Sequence, residues 1–173
     1  MLRILRQIFR TGIVTEPLLA AKEPPMILTH RPCKKEAMRL FSRSVAIRQV
    51  DAGSCNGCEL EIHAMNNPIY NAEAYGIRFT ASPRFADMLL VTGPVARNME
   101  IALKRTYEAV PCLKLVIGVG DCAHDGGIFG QGYGSLGSVG NIIPVDAYII
   151  GCPPEPSRIL RGIKETLEAL SHM

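Results

Sequence analysis

The sequence predicts one α/β domain with a mostly parallel sheet of four to five strands and flanking helices. Its strongest apolar runs, residues 88–91 and 115–119, are continuous rather than alternating, which is typical of strands buried on both faces of a sheet. Helical segments separate these runs, and strands that alternate with helices favour a parallel sheet. With 173 residues, the chain is long enough for one domain with a hydrophobic core and short for two.

The elements are predicted in order from residue 45, where a short β-rich run forms the first strand. Further strands are expected at 77–81, 86–92, 113–119 and 147–150, the fourth of the five being strongly aliphatic. Helices are expected at 59–65, 98–110 and 154–170. The second helix has amphipathic spacing, and the third has proline near its first turn, where a missing N–H is tolerated.

The first 36 residues are interpreted as a basic arm ahead of a domain that spans residues 37–173. Residues 1–12 place aliphatic residues at helical spacing with arginines between them, which predicts a basic amphipathic helix. Residues 16–34 contain four prolines and no clean periodicity, which favours an extended segment. The helix would pack on its own domain, on a partner subunit or on an anionic membrane surface.

Charge is divided unevenly along the chain. Residues 1–48 carry ten Lys and Arg against three Asp and Glu, a net charge of +7, whereas the remaining residues carry nine against thirteen, a net charge of −4. The positive charge belongs to the arm, and we expect no nucleic acid among the partners. The apolar runs fall far short of the roughly 20 residues that a membrane-spanning helix needs, so any membrane association would come from partner subunits.

Four of the six cysteines follow predicted strands. Cys55 and Cys58 form a CxxC motif after the first strand, Cys122 follows the strand at 113–119, and Cys152 follows the strand at 147–150. Because the carboxyl ends of parallel strands share one edge of a sheet, we expect these four thiols to lie together. The N-terminus has no uninterrupted apolar signal region, which favours a reducing compartment and metal ligation over disulfides.

The remaining two cysteines are expected to be non-ligands. Cys33 lies in the proline-rich arm, and Cys112 lies at the start of a strand rather than after one.

One 4Fe-4S cluster is the group that the cysteine spacing favours. A structural zinc site usually takes two close CxxC pairs, whereas two of these cysteines are isolated and the last is followed by proline. Nine glycines in residues 118–140 would let the backbone fit closely around a cluster. A zinc site, a redox-active dithiol and buried apolar cysteines stay as alternatives. A phosphate-binding loop is disfavoured because no G-K-[ST] motif is present.

Two acidic residues lie directly after the CxxC motif. Glu61 is a candidate proton relay coupled to electron transfer, although acids at the start of a helix, including Glu59, also suit the helix dipole. Asp121 and His124 bracket Cys122, and we interpret His124 as a neighbouring donor or surface residue rather than a ligand.

Three segments resemble the small, cluster-binding subunit shared by energy-converting NiFe hydrogenases and respiratory complex I. They read DAGSCNGCELEI at 51–62, GDCAHDGGIF at 120–129 and IPVDAYIIGCPPEP at 143–156, and the similarity runs from about residue 45 to 170. The complex I subunit, known as the 20 kDa or B subunit, has two adjacent cysteines in the first segment. The spacing of Cys55 and Cys58 instead resembles group 4 membrane-bound hydrogenases such as formate hydrogenlyase.

The resemblance implies a flavodoxin-like fold and one proximal 4Fe-4S cluster on Cys55, Cys58, Cys122 and Cys152. It also implies a large partner subunit bearing the NiFe centre, a ferredoxin-like iron-sulfur subunit and integral membrane subunits. The chain would then be a peripheral electron-transfer subunit of an oxidoreductase, on the cytoplasmic side of the membrane, without a complete active site of its own. The alternative is the equivalent subunit of a complex I-like NADH/quinone oxidoreductase, which has the same cluster and a different partner.

Overall fold

The computed structural model describes residues 44–112 and 114–171, together with Ile27–Leu28 and the single positions Arg6 and Arg10. Arg6 and Arg10 are helical; the rest of the predicted basic helix and most of the predicted arm lie outside the described residues. The division into an arm of residues 1–36 and a domain of residues 37–173 stays a prediction.

The described strands form one six-stranded sheet. They are β1 (Ile27–Leu28), β2 (Val45–Asp51), β3 (Ile77–Phe79), β4 (Met88–Thr92), β5 (Leu115–Val119) and β6 (Ala147–Ile149), in the spatial order β1-β6-β5-β4-β2-β3. Strands β2 to β6 pair in parallel, and β1 pairs antiparallel with β6. Counted along the chain, the five parallel strands have the order 2-1-3-4-5, which confirms the predicted flavodoxin-like sheet.

The short strand β1 is a feature that the sequence did not predict. Residues 16–34 were expected to be extended without regular pairing, yet Ile27 and Leu28 pair with Tyr148 and Ala147 of β6. The pairing covers part of the open side of β6, whose backbone groups would otherwise lack partners there.

The helices are α1 (Gly57–Ala64), α2 (Arg97–Ala109), α3 (Asp121–Asp125) and α4 (Pro156–Ser171). The three predicted helices are confirmed within two residues at each end, whereas the short α3 lies in the glycine-rich stretch and was not predicted. No helix among the described residues is long and apolar enough to cross a membrane.

Two apolar cores cover the two faces of the sheet. One contains Ile62 of α1 and Ile159 and Ile163 of α4, and the other contains Leu103 of α2 and Ala123 of α3. Strands β4 and β5 are buried along their whole length, as their continuous apolar runs predicted. Because helices pack on both faces of the sheet, the strands are held in place with their carboxyl ends at one edge.

Candidate metal centre

The loop after β2 presents the first two cysteines. Asp51 Oδ1 accepts hydrogen bonds from the N–H groups two and three residues further on, at 2.8 and 3.0 Å. Asn56 then adopts a left-handed conformation with a φ of 69°, and α1 begins at the next residue. As a result, Cys55 lies on the turn and is exposed, whereas Cys58 lies in the first turn of α1 and is buried.

Glycine lets the backbone come close to two of the sulfurs. A Cβ atom at Gly120, where φ is 89°, would lie 2.6 Å from Cys58 Sγ. A Cβ atom at Gly127, where φ is 50°, would lie 2.8 Å from Cys122 Sγ. Gly120 follows β5 and Cys58 follows β2, so the loops after these two strands lie close together at this point.

The ends of β5 and β6 are held together by two hydrogen bonds. Asp121 N–H donates to the carbonyl oxygen of Gly151 (3.0 Å), and Gly151 N–H donates back to Asp121 Oδ1 (2.8 Å). Each of these residues directly precedes a cysteine, Cys122 in one loop and Cys152 in the other. The pair of bonds therefore fixes the two isolated cysteines relative to each other.

Cys58 and Cys122 lie within electrostatic range of each other and of Cys55 and Cys152. The pKa of Cys58 is raised from 9.0 to about 12, mainly by burial and in smaller part by the nearby negative charges of Glu59 and of the sulfurs of Cys122, Cys55 and Cys152. Burial also raises the pKa of Cys122, again with contributions from Cys152 and Cys55. The three loops thus bring together the four cysteines that the sequence singled out.

The thiols lie near one another without meeting at one point. In the described part of the chain, no group of three or more His, Cys, Asp or Glu side chains converges closely enough to hold a single metal ion. Tetrahedral zinc, with Zn–S bonds of about 2.3 Å, would need its sulfurs within roughly 4 Å of each other.

Cys112 lies apart from this group. It is exposed and precedes β5, whereas Cys122 follows the same strand. Five strand residues at about 3.3 Å each separate the two positions by roughly 16 Å along the sheet. Cys33 lies outside the described residues.

The two acidic residues of α1 have different surroundings. Glu59 is 4% exposed, and neither of its carboxylate oxygens has a hydrogen-bond partner among the described residues. Glu61, the candidate proton relay, is half-buried, and its role stays a prediction. Glu59 is the residue that sequence reasoning undervalued, although its spacing of three from buried Ile62 places it on the inward side of the helix.

The side chain of His124 packs against an aromatic ring. Its imidazole meets the ring of Tyr148 edge to face, with 5.0 Å between the ring centroids. This contact gives His124 a packing role beside Cys122.

A family model for the NADH ubiquinone oxidoreductase 20 kDa subunit matches residues 55–166, a range that includes all four clustered cysteines. The chain belongs to this family. The expected relationship to the complex I subunit is thereby confirmed.

Relatives of this chain include two hydrogenase subunits. Formate hydrogenlyase subunit 7 of Escherichia coli is 42% identical over 137 residues, which are 79% of this chain and 54% of that protein. The chain therefore spans about half the length of that relative. A probable membrane-bound hydrogenase subunit, mbhJ of Pyrococcus furiosus, is 42% identical over 135 residues, covering 78% of this chain and 81% of that protein.

Solved structures show the same architecture. A chain of the membrane-bound sulfane sulfur reductase, an archaeal respiratory membrane complex, matches with a TM-score of 0.69 and 31% identity over 81% of this chain and 77% of that one. A chain of an NAD⁺-reducing [NiFe]-hydrogenase matches with a TM-score of 0.56 and 21% identity, over 73% of this chain and 93% of that one, a likeness of fold alone. The relatives of this chain are thus subunits of oxidoreductase complexes.

Proposed function

We propose that the chain holds one 4Fe-4S cluster on Cys55, Cys58, Cys122 and Cys152 and serves as the electron-transfer subunit of a membrane-associated hydrogenase complex. The observation that carries this proposal is the grouping of four thiols from three strand ends, each loop fixed by its own hydrogen bonds or close glycine contacts. When bound, such a cluster accepts and releases one electron at a time.

The chemistry of the four donors fits a cluster. Metals bind cysteine as thiolate, and a buried thiol with a raised pKa forms thiolate readily only when a cationic group compensates its charge. The four neighbouring sulfurs come from three loops and supply the four cysteine thiolates that a 4Fe-4S cluster requires. The family membership and the hydrogenase relatives add support for an iron-sulfur group.

The protein's own residues have three tasks in this proposal. The four thiolates bind the group. Gly120 and Gly127 leave the space that the sulfurs of Cys58 and Cys122 occupy. The hydrogen bonds between Asp121 and Gly151 keep the two isolated cysteines in register with each other before the group binds.

The proposed partner is a large subunit that bears a NiFe centre, to or from which this chain passes electrons. A ferredoxin-like iron-sulfur subunit would exchange electrons with the complex, and integral membrane subunits would hold it peripherally on the cytoplasmic side. The names of the formate hydrogenlyase and membrane-bound hydrogenase relatives support such an assembly.

The glycine-rich loop beside Cys122 is the surface that we assign to the large subunit. Ile128 and Tyr133 are 85% and 98% exposed, and Phe129 lies between them with half of its surface exposed. Gly127, where an added Cβ atom would lie 2.8 Å from Cys122 Sγ, directly precedes this apolar group. Exposed large apolar side chains grouped on one surface mark sites of protein association.

A second candidate function is supported by the sulfane sulfur reductase structure, which combines 31% identity with the TM-score of 0.69. In that case the same cluster would serve a complex I-like quinone reductase or another respiratory complex without hydrogen chemistry. The chain's fold and ligands would be identical, and only the large partner would differ.

The test is to purify the tagged chain anaerobically from its native membranes, with its partners, and to assay nickel and hydrogen-dependent reduction of viologen dye. The proposal predicts about one nickel per complex and dye reduction by hydrogen. A complex that contains iron and sulfide but no nickel, and that does not react with hydrogen, would support the second candidate. A chain that purifies without any partner would contradict both.

A further inference from the structure

Residues 131–136 form a short hairpin on the surface of the glycine-rich loop. Gln131 and Leu136 form an antiparallel bridge, and inside it the N–H of Gly132 donates to the carbonyl oxygen of Ser135 at 3.0 Å. Residues 133 and 134 are therefore the two residues of the turn, the shortest common hairpin connection. The fully exposed ring of Tyr133 lies at this tip.

The base of the hairpin is fixed to the core and to the turn that holds Cys122. Val95 is fully buried; its N–H donates to the carbonyl oxygen of Gly137 (2.9 Å), and its carbonyl oxygen accepts from Leu136 N–H (2.7 Å). A Cβ atom at Gly126 would lie 3.3 Å from Gly137 Cα, and Gly126 N–H donates to the carbonyl oxygen of Cys122 (3.0 Å). The hairpin therefore has a defined position relative to Cys122.

Arg97 holds the tip of the hairpin. It is the first residue of α2, and its backbone N–H donates to the carbonyl oxygen of Gly134 at 3.1 Å. Its side-chain Nε donates to the carbonyl oxygen of Tyr133. Hydrogen bonds from a charged donor are about twice as strong as neutral ones. One residue thus fixes the backbone at both turn positions, while the ring of Tyr133 stays in solvent.

This arrangement fits a docking anchor better than an ordinary surface tyrosine. A single exposed aromatic side chain is common and carries no inference by itself. Here the backbone under the ring is held by Arg97, and the ring belongs to the same loop as the exposed side chains of Ile128 and Phe129. Tyrosine is enriched among the residues that dominate binding energy, and a residue held in place before binding loses less freedom when it binds.

We propose that Tyr133 anchors the large subunit and that Arg97 is the positioning residue that sets the direction of the anchor. This inference rests on the proposed function, because it takes the large subunit as the partner. Arg97 acts through Tyr133, so its contribution does not require a contact of its own with the partner. Since the hairpin base is fixed to the turn at Cys122, the anchor also sets the position of the large subunit relative to the proposed cluster.

The test measures association in the complex, purified anaerobically through a tag on this chain. The complex is diluted in steps, and the large subunit that stays bound gives an apparent affinity. Tyr133→Ala should weaken this affinity about tenfold or more, the effect of losing an interface anchor. Tyr75→Ala is the matched control, because Tyr75 is 68% exposed in another part of the fold, and its loss should change the affinity less than about twofold.

A double-mutant cycle tests the role of Arg97. Arg97→Gln should weaken the affinity about threefold to tenfold in the otherwise unchanged chain, but less than about twofold when Tyr133→Ala is already present. Arg105→Gln, at another exposed arginine of α2, should have little effect in either background. If Arg97→Gln does not accumulate, Arg97→Lys replaces it in the same cycle, because lysine lacks the Nε donor.

Iron content and the paramagnetic signal of the same samples separate positioning from a general loss of structure. Both should be unchanged in all variants, because neither Arg97 nor Tyr133 is a proposed ligand. The inference is overturned, and the proposed function stands, if the complex holds iron and the large subunit but Tyr133→Ala behaves like Tyr75→Ala. An equal effect of Arg97→Gln in both backgrounds, or a loss of iron in this variant, also overturns it. If the unchanged chain purifies without a large subunit, both the inference and the proposed function fail.

Discussion

Substitution of Gly120 by alanine should disturb the candidate cluster site directly. Its backbone, with a φ of 89° and a ψ of 160°, lies in a region that is nearly restricted to glycine, and forcing alanine into it costs about 1–3 kcal/mol. The new Cβ would also lie 2.6 Å from Cys58 Sγ, whereas ordinary contacts are 3.4 Å or more, so the sulfur must move by about 0.8 Å. Overpacking of this kind adds about 1–3 kcal/mol.

Two other glycines separate the two effects. Gly130 has a φ of 56° but nothing within 4 Å of its would-be Cβ, so Gly130→Ala should show the backbone strain alone. Gly132 has open space and no positive φ, so Gly132→Ala should be nearly neutral.

The assay for these variants is thermal unfolding combined with iron content per chain. For a chain of this size, about 1 kcal/mol corresponds to roughly 2–4 °C in Tm. Gly120→Ala should therefore lower Tm by roughly 5–20 °C and reduce bound iron, whereas Gly130→Ala should lower Tm and keep its iron. The reasoning is refuted if Gly120→Ala retains as much iron as Gly130→Ala.

Three further predictions follow from the site. Asp121→Ala removes the acceptor for Gly151 N–H and should lower the free energy of unfolding by about 1–3 kcal/mol, as measured by urea denaturation. An unchanged free energy of unfolding would contradict the proposed link between the two loops. In cluster-free protein, the Cys58 thiol has a pKa of about 12 in the folded state and near 9.0 in the unfolded state. The free energy of unfolding should therefore fall as pH rises between these two values. The fall should be smaller in Cys58→Ser. Ile128→Asp should reduce co-purification of the large subunit, whereas Ile69→Asp, at an equally exposed isoleucine elsewhere, should not; equal losses would argue against the proposed docking surface.

The parallel sheet was predictable because its strands leave a strong local signal. Residues 88–92 and 115–119 are apolar throughout, and only strands covered on both faces have that pattern. Once the strands were placed, the rule that ligands collect at their carboxyl ends brought Cys55, Cys122 and Cys152 to one edge. The flavodoxin-like strand order came from family resemblance rather than from periodicity.

Other features depend on contacts between residues far apart in the chain. Two residues of β1 pair with β6 across more than one hundred positions, and no local pattern in a proline-rich segment indicates that pairing. The short helix α3 is hidden because glycine-rich stretches carry little helical signal.

The most direct test of the central claim is electron paramagnetic resonance of the anaerobically purified chain, before and after dithionite, with iron and sulfide analysis of single Cys→Ser variants. We predict close to four iron and four sulfide per chain and one paramagnetic signal on reduction. This signal should be lost or altered when Cys55, Cys58, Cys122 or Cys152 is replaced by serine. It should be retained in Cys112→Ser and Cys33→Ser. Bound zinc without iron, or an unchanged signal in all four ligand variants, would contradict it.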